Sequence, residues 1–163
     1  MKKTLISVPL LVAIVAVGNF REATRAANST SEGDPKEEVT IYFARVSCPT
    51  GCPAFSLTIR PDRSVEYEGM EFARIQGKRT YTISVAAYKA ILEAVRRARV
   101  ERLANEYKPV PGRDAGTIVL RVSWGERTQE IIHFLPSPDA PEELTELEEA
   151  IVKNSYPSEA RAR

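Results

Sequence analysis

Two cysteines are the residues of this chain whose type and spacing most directly suggest chemistry. Cys48 and Cys52 are the only cysteines among 163 residues. Such a pair can form a structural disulfide, cycle as a redox pair or bind a metal ion. The usual redox motif is C-x-x-C at a helix N-terminus, and neither feature is present here. A metal would need further ligands, and His133 is the only histidine. We therefore predict a structural disulfide and no metal site.

Catalytic candidates are few. His133 lies in an alternating strand-like run and could act as a general base with Asp114 and a serine. No nucleophile elbow or other local signature supports this, so a packed or edge-exposed histidine is the favoured interpretation. Glu66 and Glu68 share a strand face, which is the spacing of a carboxylate pair, but two solvated glutamates are the simpler explanation. We predict no catalytic residues and no cofactor.

The overall charge is close to neutral. The chain has 23 basic and 22 acidic residues and a formal net charge of +1. A balance of this kind provides no field that would attract nucleic acid or an anionic membrane, so neither is expected as a partner. The densest basic cluster is interpreted as the solvated face of a helix. Its members are Arg96, Arg97, Arg99 and Arg102.

The cysteines lie between two segments whose composition predicts β-strands. Residues 39–44 are β-branched and aromatic, and residues 55–60 alternate apolar and polar side chains. The prolines and glycine between them exclude a helix and predict a hairpin with Thr50 at its tip. Cys48 then faces Cys52 at the Cα separation of a disulfide, on the other sheet face from the large apolar residues. The expected pairs are Val46 with Ala54, Phe43 with Leu57, and Ile41 with Ile59.

The remaining periodicities predict the rest of the fold. Further strands are expected at residues 65–69, 71–75, 117–124 and 127–135, a short extended segment at residues 81–83, and a loop at residues 104–115. Helices are expected from an N-cap at Ser84 to about residue 99, and from a capping box at residues 139–142 to about residue 154. The order ββββ-α-ββ-α predicts an α+β domain. It would be two-layer, with a mostly antiparallel sheet of about six strands and two helices packed on one face.

The amino terminus has the features of a secretory signal peptide. Basic residues precede an apolar run at residues 5–17, and small residues follow it, so cleavage is expected after residue 18, or alternatively after residue 26. No cysteine follows the run, so a lipoprotein anchor is not expected, and an uncleaved anchor is the alternative. We predict a linker at 19–38, a single domain at 39–154 and a flexible tail at 155–163. The mature protein would be extracytoplasmic, either periplasmic or secreted, without a stable membrane anchor.

A set of motifs around the hairpin resembles a known family. Cys48 to Cys52 followed by Pro53, then residues 55–59 and the segment Val-Glu-Tyr-Glu-Gly at 65–69, resembles a family of bacterial exported domains of unknown function. Its pattern is C-x-G-x-C-P-x-Y-x-L-x-I, followed by V-x-Y-x-G. The resemblance covers most of residues 39–152 and implies an exported α+β domain with a cysteine-linked hairpin. The chain departs from the pattern at Thr50 and at residues 63–64, where the family tends to have glycine. No activity is implied.

The hairpin is also where we expect binding. If the second face of the sheet is uncovered, it exposes Tyr42 together with the hairpin, and such a face can bind a partner. The expected interaction surface consists of Tyr42, Pro49, Thr50, Gly51 and Pro53. We expect a monomeric, non-enzymatic binding or structural module whose partner is a protein or a cell-envelope component. The alternative is an extracytoplasmic enzyme or thiol-redox protein that uses Cys48, Cys52 or His133.

Overall fold

The computed structural model describes residues 38–46, 48, 51–113 and 116–157. The expected signal peptide, the linker as far as residue 37, Pro49, Thr50, Asp114 and residues 158–163 lie outside the described residues. The strands are β1 (Val39–Val46), β2 (Phe55–Ile59), β3 (Ser64–Gly69), β4 (Gly77–Thr82), β5 (Glu106–Tyr107), β6 (Thr117–Trp124) and β7 (Arg127–Phe134). The helices are α1 (Val85–Ala98), which a short 3-10 turn at Val100–Arg102 follows, and α2 (Glu142–Ser155).

The described strands form one sheet. Their order is β4-β3-β2-β1-β6-β7-β5. All neighbouring strands are antiparallel except β5 and β7, which run parallel. Both helices pack on one face of this sheet, so the predicted two-layer α+β fold is confirmed. The described sheet has seven strands rather than about six. Strand β5 is additional, and β4 is formed by other residues than the predicted fourth strand.

The core lies between this face and the helices. Alternate residues of the strands point to it and are buried, and the intervening residues lie on the other face, which we call the open face. The helices contribute their apolar stripes, as the 3.6-residue periodicity predicts. Fully buried residues of this core include Ile41, Leu57, Leu120 and Ile131 from the sheet, and Ile91, Leu144, Leu147 and Ile151 from the helices.

The fourth strand lies further along the chain than the sequence predicts. Residues 71–75, expected as a strand, form turns in which Phe72 has a φ of 58°. Their carbonyl groups accept hydrogen bonds from residues earlier in the chain instead of forming a ladder with β3. The N–H of Ala54 donates to the carbonyl of Glu71 (2.8 Å), and the Tyr67 hydroxyl donates to the carbonyl of Ile75 (2.6 Å). The ladder with β3 therefore resumes only at Gly77.

Strand β5 was not expected at all. It lies in the predicted loop at residues 104–115 and pairs with β7 through Glu106 and Tyr107. The pairing is supported by contacts from the preceding residues, because Ile132 donates its N–H to the Asn105 carbonyl (2.8 Å) and the Gln129 amide donates to the same residue's side chain (2.8 Å). Two residues paired with a distant strand leave no periodic pattern in the local sequence.

The helix boundaries partly follow the sequence. Ser84 caps α1, because its hydroxyl accepts the N–H of Ala87 (3.1 Å). The predicted capping box before α2 is wrong, since the helix begins at Glu142 with Pro141 at the N-cap position and no side-chain cap. At the other end of α2, Tyr156 packs edge-on against Phe55, with the ring centroids 4.7 Å apart. Residues 155–157, which the sequence assigns to a flexible tail, thus contact the core. Of the described helices, none is long and apolar enough to span a membrane.

Candidate functional site

The cysteine hairpin forms in the register that the sequence predicts. Strands β1 and β2 pair so that Ile41 is opposite Ile59. The sulfur atoms of Cys48 and Cys52 lie at the distance of a disulfide bond, 1.94 Å, and their Cα atoms are 5.2 Å apart. The N–H of Gly51 donates to the carbonyl of Cys48 (3.0 Å), which closes the turn between them. The predicted cysteine pair is therefore present.

The disulfide is enclosed from one side by the loop that precedes β6. Gly116 lies against it, because a Cβ at this position would be 3.6 Å from the Cβ of Cys48. Cys48 is buried, with 6% of its surface exposed, and Cys52 is half-buried. A redox pair needs an accessible, activated thiolate, and these cysteines are neither at a helix N-terminus nor openly exposed. The surroundings therefore favour a structural role for the pair.

The open face contains a concave apolar area beside the hairpin, which we call the open-face surface. It is a shallow cavity of about 770 Å³. Strands β1, β6 and β7 contribute side chains of alternate residues, and the ends of β2 and β3 contribute the residues just outside these strands. Its lining residues are Tyr42, Ala44, Val46, Ala54, Met70, Glu71, Val119, Arg121, Glu130 and Ile132. It therefore has an apolar floor with charged residues at its margin.

Large apolar side chains are exposed at this surface. Val46 is 45% exposed and Met70 is 42% exposed, and both line the cavity. Phe72 is 61% exposed, and its ring lies 3.8 Å from the position a Cβ of Gly51 would occupy, so it stands beside the hairpin turn. The fourth large apolar side chain that the described residues expose is Val85 in the first turn of α1. Two of these four thus line the open-face surface, and Phe72 lies beside the hairpin turn.

The charged residues of the open face are largely paired with each other. Arg121 contacts Glu130 through its Nε atom (2.8 Å), and its guanidinium lies 5.4 Å from the centre of the Tyr42 ring. Further along the face, Glu66 accepts a hydrogen bond from Arg60 (3.0 Å), which lowers the pKa of this carboxyl below its ordinary value. Since these charges are paired with each other, the exposed apolar side chains near the hairpin are the part of the face that is open to a partner.

Glu66 and Glu68 are not arranged as a catalytic pair. Glu66 bonds to Arg60, whereas Glu68 lies 3.9 Å from Lys78, so each carboxylate has its own cation. The arginines of the predicted basic cluster, residues 96, 97, 99 and 102, are all exposed at the end of α1 and just beyond it. Among the described residues, no group of three or more His, Cys, Asp or Glu side chains could hold a metal ion.

His133 forms a buried pair that the sequence did not predict. Its Nδ1 atom lies 2.9 Å from a carboxylate oxygen of Glu148 on α2, and the two side chains are only 4% and 6% exposed. The ring of Tyr107 packs edge-on against His133. Burial raises the pKa of Glu148, and the hydrogen bond from His133 and the nearby charge of Arg45 oppose this rise. Because both groups are closed off from solvent, the pair is part of the core and has no access to a substrate.

A signal for Glu148 was present in the sequence. It lies on the same helical stripe as Leu144, Leu147 and Ile151, and is the charged member of an otherwise apolar stripe. A buried carboxylate needs a partner, and the only histidine of the chain was available for it. Asp114, the partner suggested for His133 from the sequence, lies outside the described residues.

The predicted interaction residues are only partly brought together. Tyr42 lines the open-face surface, and Gly51 stands beside Phe72 at its hairpin end. Pro53 is exposed in the turn that leads into β2. Pro49 and Thr50 lie outside the described residues. Sequence reasoning missed Met70 and Phe72, because Met70 lies between two predicted strands and Phe72 lies in the segment predicted as the fourth strand.

These observations define the class of the protein as a two-layer α+β domain with a disulfide-linked hairpin at the apolar end of its open sheet face. A comparison with protein families places it more narrowly. The profile of the family described as "Domain of unknown function (DUF6438)" matches residues 39–155, and the chain belongs to this family. A comparison with curated proteins found no match.

Proposed function

We propose that this domain is an exported, non-enzymatic interaction module that binds an apolar segment of a partner protein on its open-face surface. The observation that carries the proposal is the exposure of Val46 and Met70 in one concave area, with Phe72 exposed beside the adjoining hairpin turn. Contiguous exposed apolar areas on monomeric proteins commonly mark binding sites, since they cost solubility without stabilising the fold. The disulfide would hold the hairpin turn rigid beside the bound segment.

The size of the surface indicates the kind of partner. The exposed parts of the three side chains add up to an area on the order of 300 Å², if a whole aromatic side chain offers 150–250 Å². A stable interface between two globular proteins buries about 800 Å² on each partner. A short extended segment that inserts one or two large apolar side chains fits the smaller area better, and the chain itself would remain monomeric.

The competing functions have less support. A thiol-redox role requires an accessible thiolate, and Cys48 is buried against Gly116. A role for His133 as a general base requires contact with a substrate, and the Glu148 pair is enclosed in the core. The open-face surface has neither of these obstacles, because its apolar side chains already face solvent.

Export is supported by the signal-peptide features of residues 1–18 and by the disulfide, which persists in oxidising compartments. Protein recovered from outside the cytoplasm should begin after residue 18 or residue 26. Both cysteines should resist alkylation until they are reduced, as mass spectrometry will report. Cys52→Ser should lower the free energy of unfolding by about 2 kcal/mol, because the ring that the disulfide closes is small. An intact N-terminus with two alkylated thiols would contradict export and the disulfide together.

The binding proposal is tested with two glutamate substitutions. Short random peptides displayed on phage are selected on the purified mature protein, and the selected peptides should carry large apolar side chains. Met70→Glu should weaken their binding at least about tenfold, because the segment would bury an unpaired carboxylate. Binding is measured by fluorescence anisotropy of the synthesised peptides.

Val85→Glu is the matched control for this experiment. Val85 is 52% exposed on α1, so the same chemical change there leaves the open-face surface untouched, and peptide affinity should not change. Thermal unfolding of both variants verifies that they remain folded. Equal binding to the wild type and to Met70→Glu, or equal losses in the two variants, would refute the proposal.

A further inference from the structure

Among the described residues, strand β4 forms one edge of the sheet. It stands first in the strand order and pairs with β3 alone among the described strands. At the opposite edge, β5 is only two residues long, and it pairs with β7 together with a bond from the Val110 N–H to the Pro136 carbonyl (3.1 Å). All residues of β4 except the half-buried Tyr81 are exposed. An open edge of this length is a template for pairing with another strand.

The direction of the free backbone groups follows from one hydrogen bond. The N–H of Ile83 donates to the carbonyl of Arg63 (3.1 Å), just beyond the last pair of the β3–β4 ladder. In an antiparallel pair, the backbone groups of successive residues point alternately toward the partner and away from it. The odd-numbered residues of β4 therefore bond to β3. The residues whose N–H and C=O groups point to the free edge are Lys78, Thr80 and Thr82.

A groove runs along the same edge. Its volume is about 590 Å³, and its walls are β4 together with residues 154–157 at the end of α2. Arg79 and Tyr81 are opposite Tyr67 and Val65 of β3, so they lie on the helix side of the sheet, where the groove is. Tyr156 and Pro157 supply apolar surface beside them. A strand added to β4 would place alternate side chains in this groove.

The positive charge of β4 favours an acidic strand as its pairing partner. The Lys78 side chain is 81% exposed and lies 3.9 Å from Glu68, and Arg79 is exposed as well. Two copies of β4 that paired antiparallel with Arg79 opposite Arg79 would bring four basic side chains together, which disfavours self-association in that register. An acidic strand would instead meet opposite charges across the new pair.

We propose that β4 binds an extended acidic segment of another protein by antiparallel strand addition. The segment would exchange backbone hydrogen bonds with Lys78, Thr80 and Thr82. Its residues opposite Lys78 and Arg79 would be acidic, and its residue opposite Tyr81 would be apolar and enter the groove. This edge is separate from the open-face surface, so either proposal can fail without the other.

The probe is the acetylated and amidated peptide Thr-Val-Thr-Glu-Glu, whose residues are designed to face residues 82 to 78 in that order. Added to the isotope-labelled mature protein at millimolar concentration, it should shift the backbone amide resonances of residues 77–82. N-methylation of the peptide residues opposite Thr80 and Lys78 should abolish binding, since their N–H groups face β4. N-methylation opposite Arg79 and Tyr81, where the N–H groups point away, should preserve it.

A charge reversal completes the test. Arg79→Glu should weaken binding of the peptide about tenfold. Arg97→Glu makes the same change on the exposed side of α1 and should have no effect. The proposal is overturned if the peptide does not bind, if the two methylation patterns have the same effect on binding, or if replacing both glutamates by valine leaves the affinity unchanged. A protein that dimerises through β4 in sedimentation experiments would also overturn it.

Discussion

Replacing Gly69 with alanine should be the most disruptive single-methyl change in the domain. Gly69 is buried at the end of β3, and a Cβ built on it would overlap the carbonyl oxygen of Ile75 and lie 2.5 Å from the Tyr67 hydroxyl. These are the two atoms of the hydrogen bond that fixes the turn between β3 and β4. Overpacking and loss of this bond should together cost about 3 kcal/mol or more. Chemical denaturation of the purified variant measures the change in the free energy of unfolding.

Gly77→Ala is the matched control for this substitution. Gly77 has a φ of 82°, but no atom lies within 4 Å of the position that a Cβ would occupy. The cost should therefore be about 1 kcal/mol, from backbone strain alone. Tyr67→Phe combined with Gly69→Ala removes one of the two clashes and should be less destabilising than the sum of the single changes. A loss for Gly69→Ala no larger than that for Gly77→Ala would show that the turn is not built as described.

His133→Leu should be nearly as damaging, for an electrostatic reason. The substitution leaves the Glu148 carboxylate buried without its hydrogen-bond partner, and breaking a buried pair in this way costs about 3–5 kcal/mol. Replacing both residues by leucine removes the buried charge, so this double variant should recover most of the lost stability. Denaturant unfolding at neutral pH gives both values. A double variant as unstable as the single one would mean that packing, and not charge, sets the cost.

The same variants predict a pH dependence with a definite sign. Burial raises the pKa of Glu148 above its ordinary value of 4.5, so the folded state binds this proton more tightly than the unfolded state does. The burial cost is therefore present at neutral pH and disappears as the pH falls toward 4.5. Without His133, which lowers the pKa of this group, the effect should be larger. The unfolding free energy of His133→Leu should thus rise relative to the double variant as the pH is lowered, and a constant difference would contradict the account.

Local patterns in the sequence were enough to predict the parts of the fold that depend on neighbouring residues. The hairpin register followed from the alternation on either side of the cysteines, and the observed pairing of Ile41 with Ile59 agrees with it. The Val-x-Tyr-x-Gly pattern at residues 65–69 now has a physical reason, because the Tyr67 hydroxyl passes over Gly69 to reach Ile75. Arg63 stands where the resemblance implies glycine, and it adopts a φ of 70°, a left-handed conformation that favours glycine.

The features that the sequence did not reveal depend on partners far along the chain. The segment at residues 71–75 is predicted as a strand, but hydrogen bonds with Ala54 and Tyr67 hold it in turns. Strand β5 exists only through its pairing with β7. The exposure of Phe72 beside the hairpin turn follows from those turns and not from the strand predicted at residues 71–75. Local sequence patterns do not predict such contacts between residues far apart in the chain.

The most direct test of the proposed interaction surface is a methyl NMR titration of the mature protein with a peptide obtained in the selection described above. The proposal predicts that the methyl resonances of Val46, Met70, Val119 and Ile132 shift together and saturate with one dissociation constant. The methyl groups of Val85 should not move. Shifts confined to Val85 or to β4, or no shift of the Met70 methyl group at saturation, would contradict the assignment of the open-face surface as the binding site.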